Sequence, residues 1–171
     1  MMGEAGLAQA QAAARRLMRE ELEFVATSPL ERTRQTAEPI ARACGVRLKE
    51  EPALMEIDFG DWNGADFEAL EREALWVQWN ARRDQTRPPG GETMAEVQAR
   101  LSAWLAKLVR ENRRSVAAVS HADVIKCAAL LALGLSASAH DRFEIGPGSI
   151  TTLVAGTWGL KLHSLNETPY A

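Results

Sequence analysis

The chain has 171 residues, 46% of them hydrophobic and 25% charged, with a formal net charge of −3. That is enough apolar material for one α/β domain with its own core and too little for two. With both signs of charge interspersed there is no basic field to neutralise a run of phosphates, which argues against DNA or RNA as a partner.

No stretch of about 18 apolar residues occurs and no basic segment leads into an apolar one at the N-terminus, so neither a membrane span nor a secretion signal is expected. Cys44 and Cys127 lie in separate Ala-rich stretches, which suits buried thiols in a reducing compartment and points to the cytoplasm.

Residues 4–21 are rich in Ala, Gln, Leu and Arg, with Leu7, Ala10, Ala14, Leu17 and Met18 on one face, and predict the first helix. An α/β domain ordinarily opens on a strand. None is legible before this helix, so a first strand is expected to be missing. Residues 22–27 predict a short strand, with Ser28 as N-cap and Pro29 as the first residue of a helix that runs to Cys44 and stops at Gly45. A second strand is predicted over 46–49. The acidic, Gly- and aromatic-rich residues 52–64 predict an ordered loop, with short helices following to Asn80.

Pro88-Pro89-Gly90-Gly91 places residues 82–91 in a loop. Residues 92–111 then predict a long amphipathic helix with Val97, Leu101, Trp104, Leu105 and Leu108 inward, ended by Asn112-Arg-Arg. A strand over 116–120, a helix over 122–133 stopped by Gly134, and two strands over 149–155 and 160–165 around Gly156-Thr-Trp-Gly159 complete the pattern.

Two strand-to-helix junctions carry polar chemistry. In a mostly parallel sheet the carboxyl ends of the strands share one edge, so Arg32 and His121 should meet in one crevice. Arg32 and Arg34, in the first turn of a helix, oppose its dipole unless an anion is expected there. Taken singly, Arg32 is also explained as a surface arginine paired with Glu31 or Glu38, and His121 as a capping or core histidine. Glu56 lies among Asp58, Asp61 and Asp66, a cluster that equally suits solvated caps. The spacing fits neither an EF-hand nor a zinc pattern, so no metal is expected.

Ser28-Pro-Leu-Glu-Arg-Thr-Arg-Gln-Thr-Ala37, Glu56-Ile-Asp-Phe-Gly-Asp-Trp-Asn-Gly64, Pro89-Gly-Gly-Glu-Thr93 and Ser120-His-Ala-Asp123 occur in one order. Together they resemble the histidine phosphatase superfamily, also called phosphoglycerate mutase-like, across nearly the whole chain. The resemblance implies a three-layer α/β/α sandwich with a mostly parallel sheet, formed by residues 1–171 as a single domain that is N-terminally incomplete and lacks its first, central strand. It implies that Arg32 clamps phosphate, that Glu56 gives a proton to the leaving oxygen, and that His121 contacts the transferring group. Ser28 belongs beside them in substrate binding. Glu92 lines the pocket mouth by the same analogy, though a carboxylate opening a helix also has a structural explanation. Trp62, Trp76 and Trp79 read as an aromatic wall above the phosphate or, more simply, as core packing.

The resemblance also exposes a departure. The family's Arg-His-Gly, at the end of its first strand, supplies one arginine and the histidine that becomes phosphorylated, and these 171 residues contain no such sequence. His140, in a polar connection, and His163, on the outer face of a late strand, are not substitutes. The sequence reading favours truncation over a pseudoenzyme that binds a phospho-ligand without turnover. The short stretch between the acid motif and the long helix is phosphatase-like rather than mutase-like, and Phe59-Gly-Asp-Trp62 with Pro89-Gly-Gly-Glu92 is similar to the α-ribazole phosphatase branch. The expected activity is phosphomonoester hydrolysis through a phosphohistidine, without metal or cofactor, on a small phosphorylated metabolite. A phosphomutase is the alternative. A homodimer is compatible with this reading, and neither nucleic acid nor membrane is an expected partner.

Overall fold

The computed structural model describes residues 2–169. Its frame is a parallel sheet in which β1 (Phe24–Thr27) lies between β2 (Arg47–Glu50) and β3 (Val116–Val119), with Val25 opposite both Leu48 and Ala117. Every residue of β1 is buried, because neighbours cover both its edges and helices cover both its faces.

The two-residue period of the strand separates the cores. Val25 packs with Ala13 and Ala14 of α1 (Glu4–Leu17) and with Ala37 and Ile40 of α2 (Glu31–Cys44). Phe24 and Ala26 turn the other way, toward Val97 and Leu101 of α5 (Met94–Arg110) and Val124 and Cys127 of α6 (Ala122–Leu133). The result is the expected sheet with helices on each side. Two short helices, α3 (Phe67–Leu70) and α4 (Ala74–Ala81), precede α5.

β4 (Ile150–Gly156) and β5 (Gly159–Glu167) form a separate antiparallel hairpin that packs against α6. Among the described residues no strand joins β3 to β4, and the strands form two separate sheets. Nor, among these residues, is any helix long and apolar enough to cross a membrane.

Several boundaries move for physical reasons. α1 ends at Leu17 and buries Ala10, Ala12, Ala13 and Ala14, whereas Leu7 and Met18 are exposed; the contact with α2 is made by small residues that let the helices approach closely. α2 begins at Glu31 with Leu30 as its N-cap. Ser28 stands two residues before that cap, its hydroxyl accepting from Leu30 N–H at 3.4 Å and lying 2.9 Å from His121 Nε2. Thr93 caps α5, in a capping box with Glu96, which leaves Glu92 outside the helix it was expected to open. Gly45 and Gly134 close α2 and α6 in the left-handed conformation, as predicted.

His140, in the polar connection after α6, is buried, its Nδ1 3.2 Å from the Ala137 carbonyl, whereas His163 is exposed on β5 as expected. Trp62 and Trp79 are buried, and with Trp76 and Phe59 they make a network of edge-to-face and stacked rings. Core packing accounts for the tryptophans.

The loop that follows β2 is stapled to the Pro-Gly-Gly segment chiefly through backbone groups. Asp61 N–H donates to the Pro89 carbonyl at 2.9 Å and Glu92 N–H to the Asp58 carbonyl at 2.7 Å. Gly60 makes this approach possible: its φ is +55°, and a Cβ there would overlap the Pro89 carbonyl and the Gly91 nitrogen. Gly60→Ala therefore combines left-handed strain with a backbone clash and should cost at least ~2 kcal/mol. Thermal unfolding should show a Tm lower by roughly 4–8 °C, and an unchanged Tm would refute the stapling.

Candidate functional site

Parallel pairing of β1 and β3 brings their following residues together. Ser28, directly after β1, donates its N–H to the Val119 carbonyl at 3.0 Å, and His121 follows β3 by one further residue. Arg32, in the first turn of α2, reaches across so that its Nη2 lies 3.0 Å from His121 Nδ1. The other ring nitrogen of His121, Nε2, lies 2.9 Å from Ser28 Oγ. Glu56 completes the cluster, with Oε2 3.6 Å from His121 Nδ1 and 3.8 Å from Arg32 Nη2. Arg32 and His121, 89 positions apart in the chain, do share one crevice.

The contacts fix where the protons are. A guanidinium has no acceptor, so His121 Nδ1 must present its lone pair to Arg32, and the ring proton then sits on Nε2 and is donated to Ser28 Oγ. Burial, followed by the charges of Arg32 and Arg100, lowers the His121 pKa to about 4. Glu56 moves in the opposite direction. Burial chiefly, with the negative Asp123 adding to it, raises its pKa to about 7 against the lowering effects of the Ile57 N–H, Arg32 and Arg100. Near neutrality the imidazole is therefore neutral and the carboxyl group holds a proton for much of the time. The Arg32 side chain is 61% exposed while that of His121 is 4% exposed, so solvent reaches Arg32 first.

Arg100 of α5 holds the acid in place. Its guanidinium donates to the Ala53 carbonyl at 2.7 Å and the Met55 carbonyl at 2.8 Å, and grips Glu92 with Nε and Nη2 at 2.8 and 2.9 Å. Ser120 adds a second tie, its hydroxyl donating to the Leu54 carbonyl at 2.7 Å. Glu92, expected at the pocket mouth, lines a neighbouring hollow of about 540 Å³ that also borders Glu56 and Arg100. Its carboxylate is occupied by Arg100. Asp58 accepts from Gly60 N–H and from Asn63, and Asp66 caps α3; of the acidic cluster, these two are loop and cap residues while Glu56 faces the crevice.

Arg100 was not legible in the sequence, because it sits on the polar side of an amphipathic helix where an arginine is unremarked. Asp123 was visible in Ser-His-Ala-Asp but not as a charge acting on Glu56. It is held by Arg83 Nη1 at 2.7 Å, whose guanidinium lies over the Trp79 ring at 3.9 Å.

The family model described as "Histidine phosphatase superfamily (branch 1)" matches residues 2–168. The chain belongs to this superfamily. The chain is also 34% identical over 152 residues to the "Probable phosphoglycerate mutase GpmB" of Photorhabdus laumondii, an alignment covering 83% of this chain and 67% of that protein. Among solved structures, a mycobacterial glucosyl-3-phosphoglycerate phosphatase in complex with inorganic phosphate superposes with a TM-score of 0.85 at 27% identity, covering 99% of this chain and 89% of that one. The α-ribazole phosphatase of Shigella flexneri shares the fold, with a TM-score of 0.85 at 23% identity over 98% and 85% of the two chains. Relatives within this histidine phosphatase fold thus carry both mutase and phosphatase names.

A Glu56 whose pKa is near 4.5 when unfolded and about 7 when folded binds more protons in the native state between those values, so its contribution to stability is fully present below the lower value and lost as pH rises through the upper one. Glu56→Gln removes this dependence. Urea unfolding at pH 5 and pH 8 should show the variant gaining on the wild type by about 2–3 kcal/mol at the higher pH. A difference that does not change with pH would exclude the raised pKa.

Proposed function

We propose that this chain forms the phosphoryl-binding and proton-donating part of a phosphomonoester hydrolase that works through a phosphohistidine, the nucleophilic histidine belonging to an Arg-His-Gly element outside these 171 residues. The observation that carries the reading is the meeting of Arg32, His121 and a Glu56 able to hold a proton near neutrality. A guanidinium, a neutral imidazole and a protonated carboxyl group suit an anionic phosphoryl group far better than a metal ion.

In this reading Arg32 binds two phosphoryl oxygens, and His121 turns an N–H toward a third. As the attacking imidazole nitrogen bonds to phosphorus, the ester P–O bond breaks and Glu56 delivers its proton to the departing alkoxide. The Glu56 carboxylate then takes a proton from the water that attacks phosphorus, the P–N bond breaks, and phosphate and the free imidazole are released. Ser28 holds the His121 ring through Nε2 and contacts the bound group. Glu92 serves through Arg100, which carries the backbone before Glu56. The substrate class is a small phosphorylated metabolite, with no metal or cofactor taking part.

Hydrolysis is favoured over transfer because the segment between the acid motif and α5 is short and Arg32 is open to water. The 34% identity to a protein with a mutase name supports a second reading, phosphoryl transfer between positions of one metabolite. 3-Phosphoglycerate, offered to the protein once its nucleophile is supplied, separates the two by whether free phosphate or an isomer appears.

For the 171-residue protein alone the expected behaviour is binding without turnover. Inorganic phosphate at ten times its Kd should stabilise it by about 1.4 kcal/mol, read as a Tm rise of roughly 3–6 °C, and Arg32→Ala should abolish that rise. A chromogenic phosphomonoester should not be hydrolysed. Absence of the phosphate-induced shift would overturn the anion site, and hydrolysis that disappears in His121→Ala would overturn the assignment of the nucleophile to a separate element.

A further inference from the structure

The proton that Glu56 delivers has to reach an oxygen of the leaving group, so the body of that group lies in a space that borders Glu56. Among the described residues Glu56 borders the crevice with Arg32 and His121 and also the neighbouring hollow of about 540 Å³. The phosphoryl group takes the first of these in the phosphohydrolase reading. The second is of the size of a small-ligand site, and the mechanism has so far given it no occupant.

The charges around the hollow are unevenly matched. Arg100 is bound to Glu92 and Arg87 to Glu96, each pair at 2.8 Å, and Arg87 also donates to the Gly91 carbonyl at 2.8 Å. Asp58, which lines the same hollow, has only neutral donors. Its Oδ1 accepts from Gly60 N–H at 2.8 Å and from Asn63 Nδ2 at 2.9 Å, and its Oδ2 accepts from no group among the described residues. The arginines are thus neutralised in place while the Asp58 carboxylate is not. Met55, 40% exposed, and Pro52 give the hollow an apolar edge.

We propose that this hollow is the leaving-group subsite and that Asp58 determines its specificity, selecting uncharged hydroxylated leaving groups over acidic ones. The proposal rests on the reading of Glu56 as the proton donor. A hydroxyl of the leaving group donates to the free carboxylate oxygen of Asp58 in a charge-assisted bond, while its carbon-bound hydrogens lie against Met55. An acidic leaving group meets like charge instead, and the guanidinium groups that would receive it are already held by Glu92 and Glu96. Discrimination of this kind comes as much from the repelled ligand as from the accepted one. The substrate class is therefore a polyol monoester whose phosphate is its one acidic group.

Glycerol 3-phosphate and 3-phosphoglycerate share a three-carbon skeleton and differ in a hydroxymethyl group against a carboxylate, which makes them matched probes. Calorimetric titration of the 171-residue protein at low salt should give glycerol 3-phosphate a Kd at least ~3-fold lower. The ratio should shrink toward one in 1 M salt, where the Debye length falls to about 3 Å; this is read on the wild type and needs no variant. Asp58→Asn, which keeps an oxygen for Gly60 N–H, should bring the two affinities to within about twofold. Equal affinities in the wild type, a ratio that salt leaves unchanged, or a preference that persists in folded Asp58→Asn would overturn the assignment. Inorganic phosphate, titrated alongside, separates this proposal from the reading beneath it. If phosphate does not bind, the anion site is lost and the subsite with it; if phosphate binds while the two esters bind alike, the subsite alone is lost. Binding of glycerol 3-phosphate that survives Arg32→Ala would put its phosphate elsewhere and overturn both.

Discussion

The parallel pairing of β1 with β3 is the constraint on which the site depends. In register from Phe24 opposite Val116 to Thr27 opposite Val119, it puts the ends of two strands about one strand spacing apart, roughly 5 Å, and so determines which side chains can meet. Ser28 is buried at that end because its own N–H continues the ladder to Val119. From there its hydroxyl faces the imidazole of His121, and the first turn of α2 brings Arg32 to the opposite nitrogen. Slipping this pairing by one residue would turn Val25 and Ala117 to the wrong core and carry Ser28 away from His121.

Within that frame, burial and charge divide the protons between two groups that would otherwise compete for them. His121 is enclosed and faces a guanidinium, so the charged imidazolium is disfavoured twice over. Glu56 is partly enclosed and feels Asp123, so the carboxylate is disfavoured although Arg32 is near. The close approach of Glu56 to His121 is consequently not an ion pair near neutrality: the imidazole is uncharged, and the acid, its pKa raised to about 7, holds a proton for part of the time. A carboxyl group that holds a proton for part of the time at neutral pH, beside an exposed guanidinium, suits the general-acid role proposed for it.

This arrangement depends on backbone ties at some distance from the chemistry. Arg100 binds two carbonyls just before Glu56, Ser120 binds a third, and Gly60 lets the loop after Glu56 lie against Pro89 and Gly91. These contacts satisfy carbonyls that a loop near the core would otherwise leave without partners. They also explain why Glu92 is engaged without facing the crevice, since its carboxylate neutralises and orients Arg100.

Local pattern was sufficient for most elements: the apolar strands, the stops at Gly45 and Gly134, and the bounds of α6 all follow from propensity, periodicity and the need for a left-handed residue at a helix end. The two junctions at Arg32 and His121 were legible because strand-to-helix turns in a parallel sheet fall on one edge. What lay beyond the sequence was decided by packing. Ser28 had the signature of an N-cap, but a tertiary partner took its hydroxyl and the helix began at Glu31. Leu7 belonged to an apolar face, yet Ala13 and Ala14, with Leu17 beside them, made the contact. Arg100 looked like any arginine on a polar helix face until the fold laid the carbonyls of Ala53, Met55 and Glu56 and the carboxylate of Glu92 around it.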